Sequence, residues 1–115
     1  MLEVTFYPAT YGDCIWITYG NPSKPRHILI DGGTGGTSVY IANRLKELEA
    51  SEQQLELVVV SHIDRDHIEG LLRVFEKYGG VFNTKDFWFN GWKHLKSYQG
   101  FVTLGAQQGR RLVVI

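Results

Sequence analysis

The sequence has a single cysteine, no net charge and no long hydrophobic run. Cys14 has no second cysteine to pair with, so an internal disulfide is excluded and no oxidising compartment is implied. The 12 basic and 12 acidic residues balance, which removes the overall electrostatic case for binding nucleic acid or an anionic membrane. The longest apolar runs, such as the three valines at 58–60, are far too short to cross a bilayer. Because the first residues also lack the basic-then-apolar layout of a signal peptide, we expect a soluble, cytoplasmic protein with no membrane partner.

The composition that is present suits one folded domain. The chain has 115 residues, of which 43% are hydrophobic, and this is enough for a packed core. Charge is distributed unevenly: residues 31–76 carry nine acidic and four basic side chains, and residues 77–115 carry one acidic and six basic. Two solvated faces of opposite sign are the simplest explanation. The alternative is a cation-attracting pocket in the acidic part beside an anion-attracting rim in the basic part.

Hydrophobic alternation predicts three short strands in the first 30 residues, at 2–7, 14–19 and 27–30. Turn residues separate them over hairpin-length connections, so we expect them to pair antiparallel. The single cysteine lies in the second of these strands and is expected to be a buried small hydrophobe rather than a nucleophile.

Two helical segments flank the most regular strand. The first begins at Thr37 or Ser38, either of which can cap it, and ends near Ala50. The strand at 55–60 has an apolar run that predicts burial on both faces in the middle of a sheet. The second helix is expected from about 67 to 78. Helical spacing directs the following side chains inward: Ile41, Leu45, Leu48, Ile68, Leu71, Leu72 and Phe75.

The remaining chain is less regular. Residues 86–89 predict another strand, residues 90–100 a short helix or a loop, and residues 112–115 the start of a last strand. Core packing is the expected role for aromatic residues that alternate within strands, with a substrate-binding aromatic wall as the alternative. The alternation of strands and helices predicts a single α/β domain over residues 1–115 with a mixed sheet.

Four side chains able to bind metal follow the strand at 55–60 within six residues: His62, Asp64, Asp66 and His67. An imidazole and a carboxylate two residues apart in an extended loop can point to the same side, and the last two side chains can diverge toward a second ion. Nitrogen and hard oxygen donors suit Zn²⁺, Mn²⁺ or Fe, and such ions lower the pKa of a bound water in hydrolytic centres. The simpler alternative is a polar loop in which Asp66 caps the following helix.

The pattern His-x-Asp-x-Asp-His at 62–67 resembles the metal-binding motif of the metallo-β-lactamase fold hydrolases, which is usually His-x-His-x-Asp-His. Asp64 stands where the second His usually stands, and this variant is similar to a subgroup that includes the hydrolase domain of DNA-uptake competence proteins and some phosphorylcholine esterases. Residues 12–17, 29–33 and 68–71 also resemble segments of the family, with Glu69 in place of one glycine. The resemblance covers about residues 1–90.

The resemblance implies a role for each matching residue. His62 and Asp64 would hold a first metal, and Asp66 and His67 a second, giving a site for one or two divalent ions, Zn or Mn. Asp66 would also be catalytic, because it orients the attacking water or receives its proton. Asp31 would steady the metal loop by hydrogen bonds, with an ordinary turn aspartate as the alternative.

The family fold is a four-layer αβ/βα sandwich of two αβ halves, and its second half supplies a further His, a bridging Asp and a last His. His94 is the only histidine after the motif, and a surface position is its simpler explanation. We therefore expect this chain to correspond to an N-terminal half of that fold. A half-sandwich leaves one sheet face uncovered, which predicts a homodimer or a partner chain over that face.

Two hypotheses for function follow. The first is a metal-dependent hydrolase that uses a metal-activated water on an ester or phosphodiester, either as a small molecule or as nucleic acid in the role of substrate. The preference for phosphodiesters comes from the resemblance, with weak support from the basic residues after 77. The second is a catalytically incomplete fragment or binding module of the same fold, which acts through a partner chain.

Overall fold

A computed structural model describes residues 1–9, 12–61, 65–77, 81–89, 101–103 and 111–114. Its elements, in chain order, are the strands and helices β1 (Leu2–Phe6), β2 (Ile15–Asn21), β3 (Lys24–Ile30), α1 (Ser38–Ala50), β4 (Leu55–Val60), α2 (Arg65–Lys77), β5 (Val81–Phe89), β6 (Phe101–Thr103) and β7 (Arg111–Val114). A short 3-10 helix, Gly35–Thr37, leads into α1.

The seven described strands form one mixed sheet in the order β1-β2-β3-β4-β5-β7-β6. The first three strands pair antiparallel, as their short connections predict. β3, β4 and β5 run parallel to one another because helices α1 and α2 form the crossover connections between them. The expectation of an α/β fold with a mixed sheet is therefore confirmed, and the four-layer sandwich stays a prediction.

Both helices pack on the same face of the sheet. One row of paired residues crosses that face from β2 to β5: Trp16, Leu29, Val58 and Phe87. All four are buried, and they share a core with buried residues of both helices: Ile41, Ala42, Leu48, Leu71 and Val74. The inward positions predicted for α1 are confirmed, with Leu45 partly buried. Among the described side chains of α2, Leu71 and Val74 are buried and Leu72 is partly buried, and Val74 was not predicted. The side chains of Ile68 and Phe75 lie outside the described part.

The opposite face of the sheet is exposed or half-buried over most of the described strands, but Leu55 and its partner Thr84, which alternate with the helix-facing residues, are fully buried. In β4, Val58 and Val60 are fully buried toward the helices, while Leu57 and Val59 on the other face are only half-buried. The expected burial of this strand is therefore confirmed for the helix-covered face and extends to the other face only at Leu55. Trp88 is 58% exposed, so its expected place in the core is wrong.

Several element bounds differ from the expected ones. The breaker-rich segment after β2 is a two-residue turn, and pairing continues to Asn21 opposite Lys24. Thr37 precedes α1 but makes no side-chain cap hydrogen bond. α2 begins at Arg65, and β5 extends back to Val81. β6 was not predicted, and residues 90–100 lie outside the described part.

In the part of the chain that the structure describes, neither helix combines the length and the apolar character needed to cross a membrane.

Candidate metal centre

The predicted metal loop begins at the carboxyl edge of the parallel strands. Asp31 directly follows β3 and Ser61 directly follows β4, and these two strands are neighbours in the sheet. The ends of parallel strands meet at one edge, so residues far apart in sequence are brought together there. The loop with the metal-binding motif therefore starts beside the Asp31-Gly32-Gly33 turn.

Asp31 anchors this edge with both its backbone and its carboxylate. Its N–H donates to the carbonyl oxygen of Val59 at 2.8 Å, which extends the β3–β4 pairing by one residue. Its Oδ1 accepts a hydrogen bond from the backbone N–H of Ser61 at 2.7 Å. Its Oδ2 accepts a short hydrogen bond from the Ser61 hydroxyl. The carboxylate therefore fixes the residue that immediately precedes His62.

The backbone of Asp31 is in the left-handed region, with φ of 58°. Aspartate and asparagine tolerate this conformation better than most residues, although it remains unfavourable relative to the usual regions. The side chain is only 1% exposed. A buried carboxylate that accepts two hydrogen bonds from one residue holds that residue more firmly than an exposed turn aspartate would, and this is the type of contact that the predicted loop-steadying role requires.

The first half of α2 lies directly against the turn after β3. The N–H of Gly70 donates to the carbonyl oxygen of Gly33 at 3.1 Å. A Cβ at Gly70 would overlap the carbonyl oxygen of Gly32, and a Cβ at Gly32 would meet Leu71 Cγ at 2.5 Å. Each of these two positions must be glycine for helix and turn to approach so closely. This contact sets where the start of α2 lies relative to Asp31.

The predicted ligands are only partly within the described residues. The backbones of Asp66 and His67 lie in the first turn of α2, and their side chains lie outside the described part. His62 and Asp64 also lie outside it, as does His94. Because α2 begins at Arg65, Asp66 is inside the helix and is not its cap, which corrects the simpler explanation offered for it. A negative charge in the first turn of a helix interacts favourably with the positive end of the helix dipole.

Cys14 lies next to this edge, and its surroundings make it unreactive. Its side chain is 2% exposed. Burial, followed by the negative charge of Asp31, raises the pKa of the thiol to about 12. A thiol with so high a pKa is neutral at physiological pH. The expectation of a buried small hydrophobe is confirmed.

Two further contacts brace the glycine-rich turn. The Thr37 hydroxyl donates to the carbonyl oxygen of Pro8 at 2.9 Å, so the side chain expected to cap α1 instead ties the turn to the end of β1. The Arg73 guanidinium lies over Gly35 and pairs with Glu69 at 3.4 Å across one turn of α2. Arg73 is a cation near this edge that sequence reasoning did not select, because nothing in its spacing separates it from an ordinary helix-surface residue.

A second polar cluster lies on the helix-covered face of the sheet. It is centred on His27 of β3, four residues before Asp31. Trp16 Nε1 donates to His27 Nδ1 at 3.1 Å, and the Thr18 hydroxyl lies 2.9 Å from the same nitrogen. Arg44 Nη2 donates to Thr18 Oγ1 at 3.2 Å, and its guanidinium carbon lies 4.8 Å from the centre of the Trp16 ring. Burial and the nearby Arg44 charge lower the pKa of His27. A neutral His27 accepting from an indole is a structural element of the core.

Among the side chains that the structure describes, no three His, Cys, Asp or Glu form a group able to hold a metal ion. The side chains of His62, Asp64, Asp66 and His67 lie outside the described part. No protein-family model matches the chain, and no curated protein matches it. The functional interpretation therefore depends on the motif and on the geometry that surrounds it.

Proposed function

We propose that this protein is a metal-dependent hydrolase of the metallo-β-lactamase type, acting on an ester and preferentially on a phosphodiester. The observation that carries the proposal is the pair of hydrogen bonds from Ser61 to the buried Asp31 carboxylate. An aspartate held in a left-handed backbone conformation, with its carboxylate on the residue before His62, is an arrangement expected where a loop must keep a defined shape.

The residues present fit a divalent metal. Two imidazoles and two carboxylates in residues 62–67 provide the donor atoms that Zn²⁺ and Mn²⁺ bind. The loop that carries them starts at the carboxyl edge of three parallel strands, where catalytic residues of open α/β sheets are usually found. When bound, a divalent ion lowers the pKa of a coordinated water and polarises the substrate oxygen.

Within this proposal each residue has a distinct task. His62, Asp64, Asp66 and His67 would hold the metal, and Asp66 would also accept a proton from the attacking water. The hydrogen bond from Ser61 to Asp31 fixes the start of the loop. The close contact between Gly70 and Gly32 keeps the first turn of α2 near that point. Asp31 and Ser61 directly follow β3 and β4, and the backbones of Asp66 and His67 are in α2, so these three elements position the proposed site.

Metal content tests the binding step. Protein purified without chelator is analysed by inductively coupled plasma mass spectrometry, and about one to two ions of Zn or Mn per chain are expected. His62→Ala should lower the content strongly, because it removes a ligand. His27→Gln is the matched control, since His27 bonds to Trp16 within the core and should not affect the metal. Less than about a tenth of an ion per chain, unchanged by His62→Ala, would contradict the metal site.

Turnover tests the chemical step. Hydrolysis of bis-p-nitrophenyl phosphate is measured with added Mn²⁺ or Zn²⁺, and we expect activity that Asp66→Asn reduces by about 10²-fold or more. The same assay with a carboxylic ester substrate establishes whether phosphodiesters are preferred. Stoichiometric metal binding without turnover on either substrate would favour the binding module and would refute the hydrolase proposal.

A further inference from the structure

Strand register gathers apolar side chains on the sheet face opposite α1 and α2. Paired residues lie on the same face of a sheet, so the pairings between successive strands define rows across it. The row nearest the carboxyl edge consists of Phe6, Ile15, Ile30, Val59 and Trp88. The next row consists of Val4, Ile17, Ile28, Leu57 and Asp86, and a shorter third row of Leu2, Tyr19 and Arg26. We call these three rows the open face.

The open face is accessible to solvent. Leu2 and Phe6 are each 73% exposed, Val4 is 46% exposed and Trp88 is 58% exposed. The isoleucines of β2 and β3 on this face are half-buried. With strands about 4.8 Å apart and same-face residues about 6.8 Å apart, the residues of the three rows cover roughly 420 Å² in projection. The largest apolar patch on a typical monomer has about 300–600 Å² of accessible surface, and the accessible area here is larger than the projection because side chains stand out from the sheet.

The projected area is smaller than the accessible surface that a stable dimer buries, and the strongly exposed side chains of Leu2, Phe6 and Trp88 add to it. A standard interface buries about 800 Å² on each partner and has an apolar centre with polar residues at the rim. The open face has that layout, because its first two rows carry one charged residue, Asp86, at one end of the second row. Asp86 Oδ1 accepts from the Phe87 N–H at 2.8 Å, which partly satisfies the carboxylate without an external donor.

The breadth of the open face suits a second sheet as the occupant. In the first row the two large aromatic residues, Phe6 and Trp88, stand at the ends, and β-branched residues stand between them. Side chains from the inner faces of two packed sheets interdigitate over a broad area. The rows of the open face cover five neighbouring strands, whereas a single helix would contact only a narrow stripe of them.

The position of charge on the open face favours a copy related by a two-fold axis. Arg26 and Lys24 stand at the hairpin end of β3, away from the first row. Both are exposed. If the strands of two copies run in opposite directions across the interface, these cations point to opposite ends of the dimer and do not repel each other. A two-fold axis between the first and second rows produces this arrangement and lets each copy contribute the same residues.

We propose that the open face is the interface of a homodimer, formed by face-to-face packing of the sheets of two copies of this chain. Each copy keeps its helices outside and its carboxyl edge open to solvent. The proposal does not depend on the hydrolase proposal, since the residues that carry it are distinct from the metal motif.

The test measures molecular mass and affinity in solution for the full chain. Light scattering after size exclusion and sedimentation equilibrium should give a dimer at about 50 µM, with dissociation on dilution. The double variant Phe6→Lys/Trp88→Lys should raise the dimer Kd at least about 100-fold, because it places four like charges in an apolar interface. Both residues are exposed in the single chain, so the fold itself should tolerate the change.

Val39→Lys is the matched control, because Val39 is 54% exposed on α1, on the other side of the molecule. It should leave the dimer Kd unchanged. A monomeric wild-type protein at about 50 µM, or a dimer unaffected by the double variant, would overturn the proposal; a monomer that binds a different protein through this face would overturn it too.

A fluorescence measurement on the wild-type chain keeps the proposal testable if the double variant fails to fold. Acrylamide quenching of Trp88, taken as the difference between the wild type and Trp88→Phe, should fall as protein concentration rises through the dimer Kd. Quenching that is independent of concentration while the mass changes from monomer to dimer would place the interface elsewhere.

Discussion

At the scale of single residues, Asp31 and His27 are two buried polar residues of the same part of the chain that stabilise different regions of the molecule. Asp31 is at the carboxyl end of β3 and binds Ser61, so it acts on the loop outside the sheet. His27 is within β3 and accepts a hydrogen bond from Trp16, so it acts inside the core. The motif resemblance pointed to the first. Nothing in the sequence distinguished the second from a surface strand histidine, because its partners come from β2 and α1.

Asp31→Asn should lower both stability and metal affinity. Asparagine tolerates the left-handed backbone, but its Nδ2 cannot accept the second hydrogen bond from Ser61. We expect the free energy of unfolding to fall by about 1–3 kcal/mol in urea titrations, and metal affinity to fall about 10–100-fold by calorimetry. Ser61→Ala is the control, since it removes only the hydroxyl and should cost about 0.5–1.5 kcal/mol. Equal stability of Asp31→Asn and the wild type would show that the carboxylate is not an anchor.

The His27 environment predicts that stability falls on acidification. The folded state lowers the pKa of His27 below its ordinary value of 6.5, so below that pH the unfolded chain binds the proton more readily than the folded one. Stability is therefore fully present above about pH 6.5 and declines as the pH falls toward the lowered pKa, by at most about 1.4 kcal/mol per pH unit.

Urea titrations between pH 7.5 and 5 measure this effect as the difference between the wild type and His27→Gln. Glutamine can still accept the hydrogen bond from Trp16 but does not titrate in that range. The free energy of unfolding of the wild type minus that of His27→Gln should fall as the pH falls, because only the wild type loses stability through this residue. A pH-independent difference would mean that protonation of His27 does not couple to folding.

At the scale of elements, the sequence predicted local structure better than it predicted contacts between elements. Short breaker-rich connections were enough to indicate the antiparallel pairing of β1, β2 and β3. The bounds of α2 were displaced, and Val74 was missed as a core residue because the inward face of a helix depends on what lies beneath it. The close approach of Gly70 to Gly32 is a tertiary contact, and a glycine in a helix gives no sign of its partner.

Gly70→Ala should destabilise the protein although alanine is the better helix former by about 1 kcal/mol. The added methyl group would overlap the Gly32 carbonyl oxygen and lie 2.9 Å from that of Thr34, so α2 must move away from the turn. We expect a net loss of about 1–3 kcal/mol in the free energy of unfolding. Gly36→Ala is the control: that residue has nothing within 4 Å of the added position, and its stability should change by less than about 1 kcal/mol.

At the scale of the whole molecule, two expectations about the second sheet face differed: the half-sandwich resemblance implied an uncovered face, and the apolar run of β4 predicted a covered one. The apolar run of β4 correctly indicated a central strand, and β4 lies between two parallel neighbours. Sequence could not show that Leu57 and Val59 would remain half-buried, since burial on a second face depends on a layer that local pattern does not specify. Trp88 was misjudged for the same reason.

A homodimer through the open face predicts that thermal stability depends on protein concentration. Because association stabilises the folded state by mass action, the Tm of the wild type should rise by several degrees between about 2 and 200 µM. The Tm of Phe6→Lys/Trp88→Lys should be independent of concentration, and that of Val39→Lys should follow the wild type. Differential scanning fluorimetry or calorimetry measures all three.

The position of β1 at the end of the strand order has a consequence for the handling of this protein. β1 pairs on one side with β2, so in the described sheet its other side is an edge with unpaired backbone groups. Its apolar residues alternate with Glu3 and Thr5, and Glu3 is exposed. An edge strand with exposed apolar side chains is a template for addition of further strands, and the glutamate charge opposes that addition. Loss of this one charge in Glu3→Val is expected to direct dilute monomer toward β-rich aggregates.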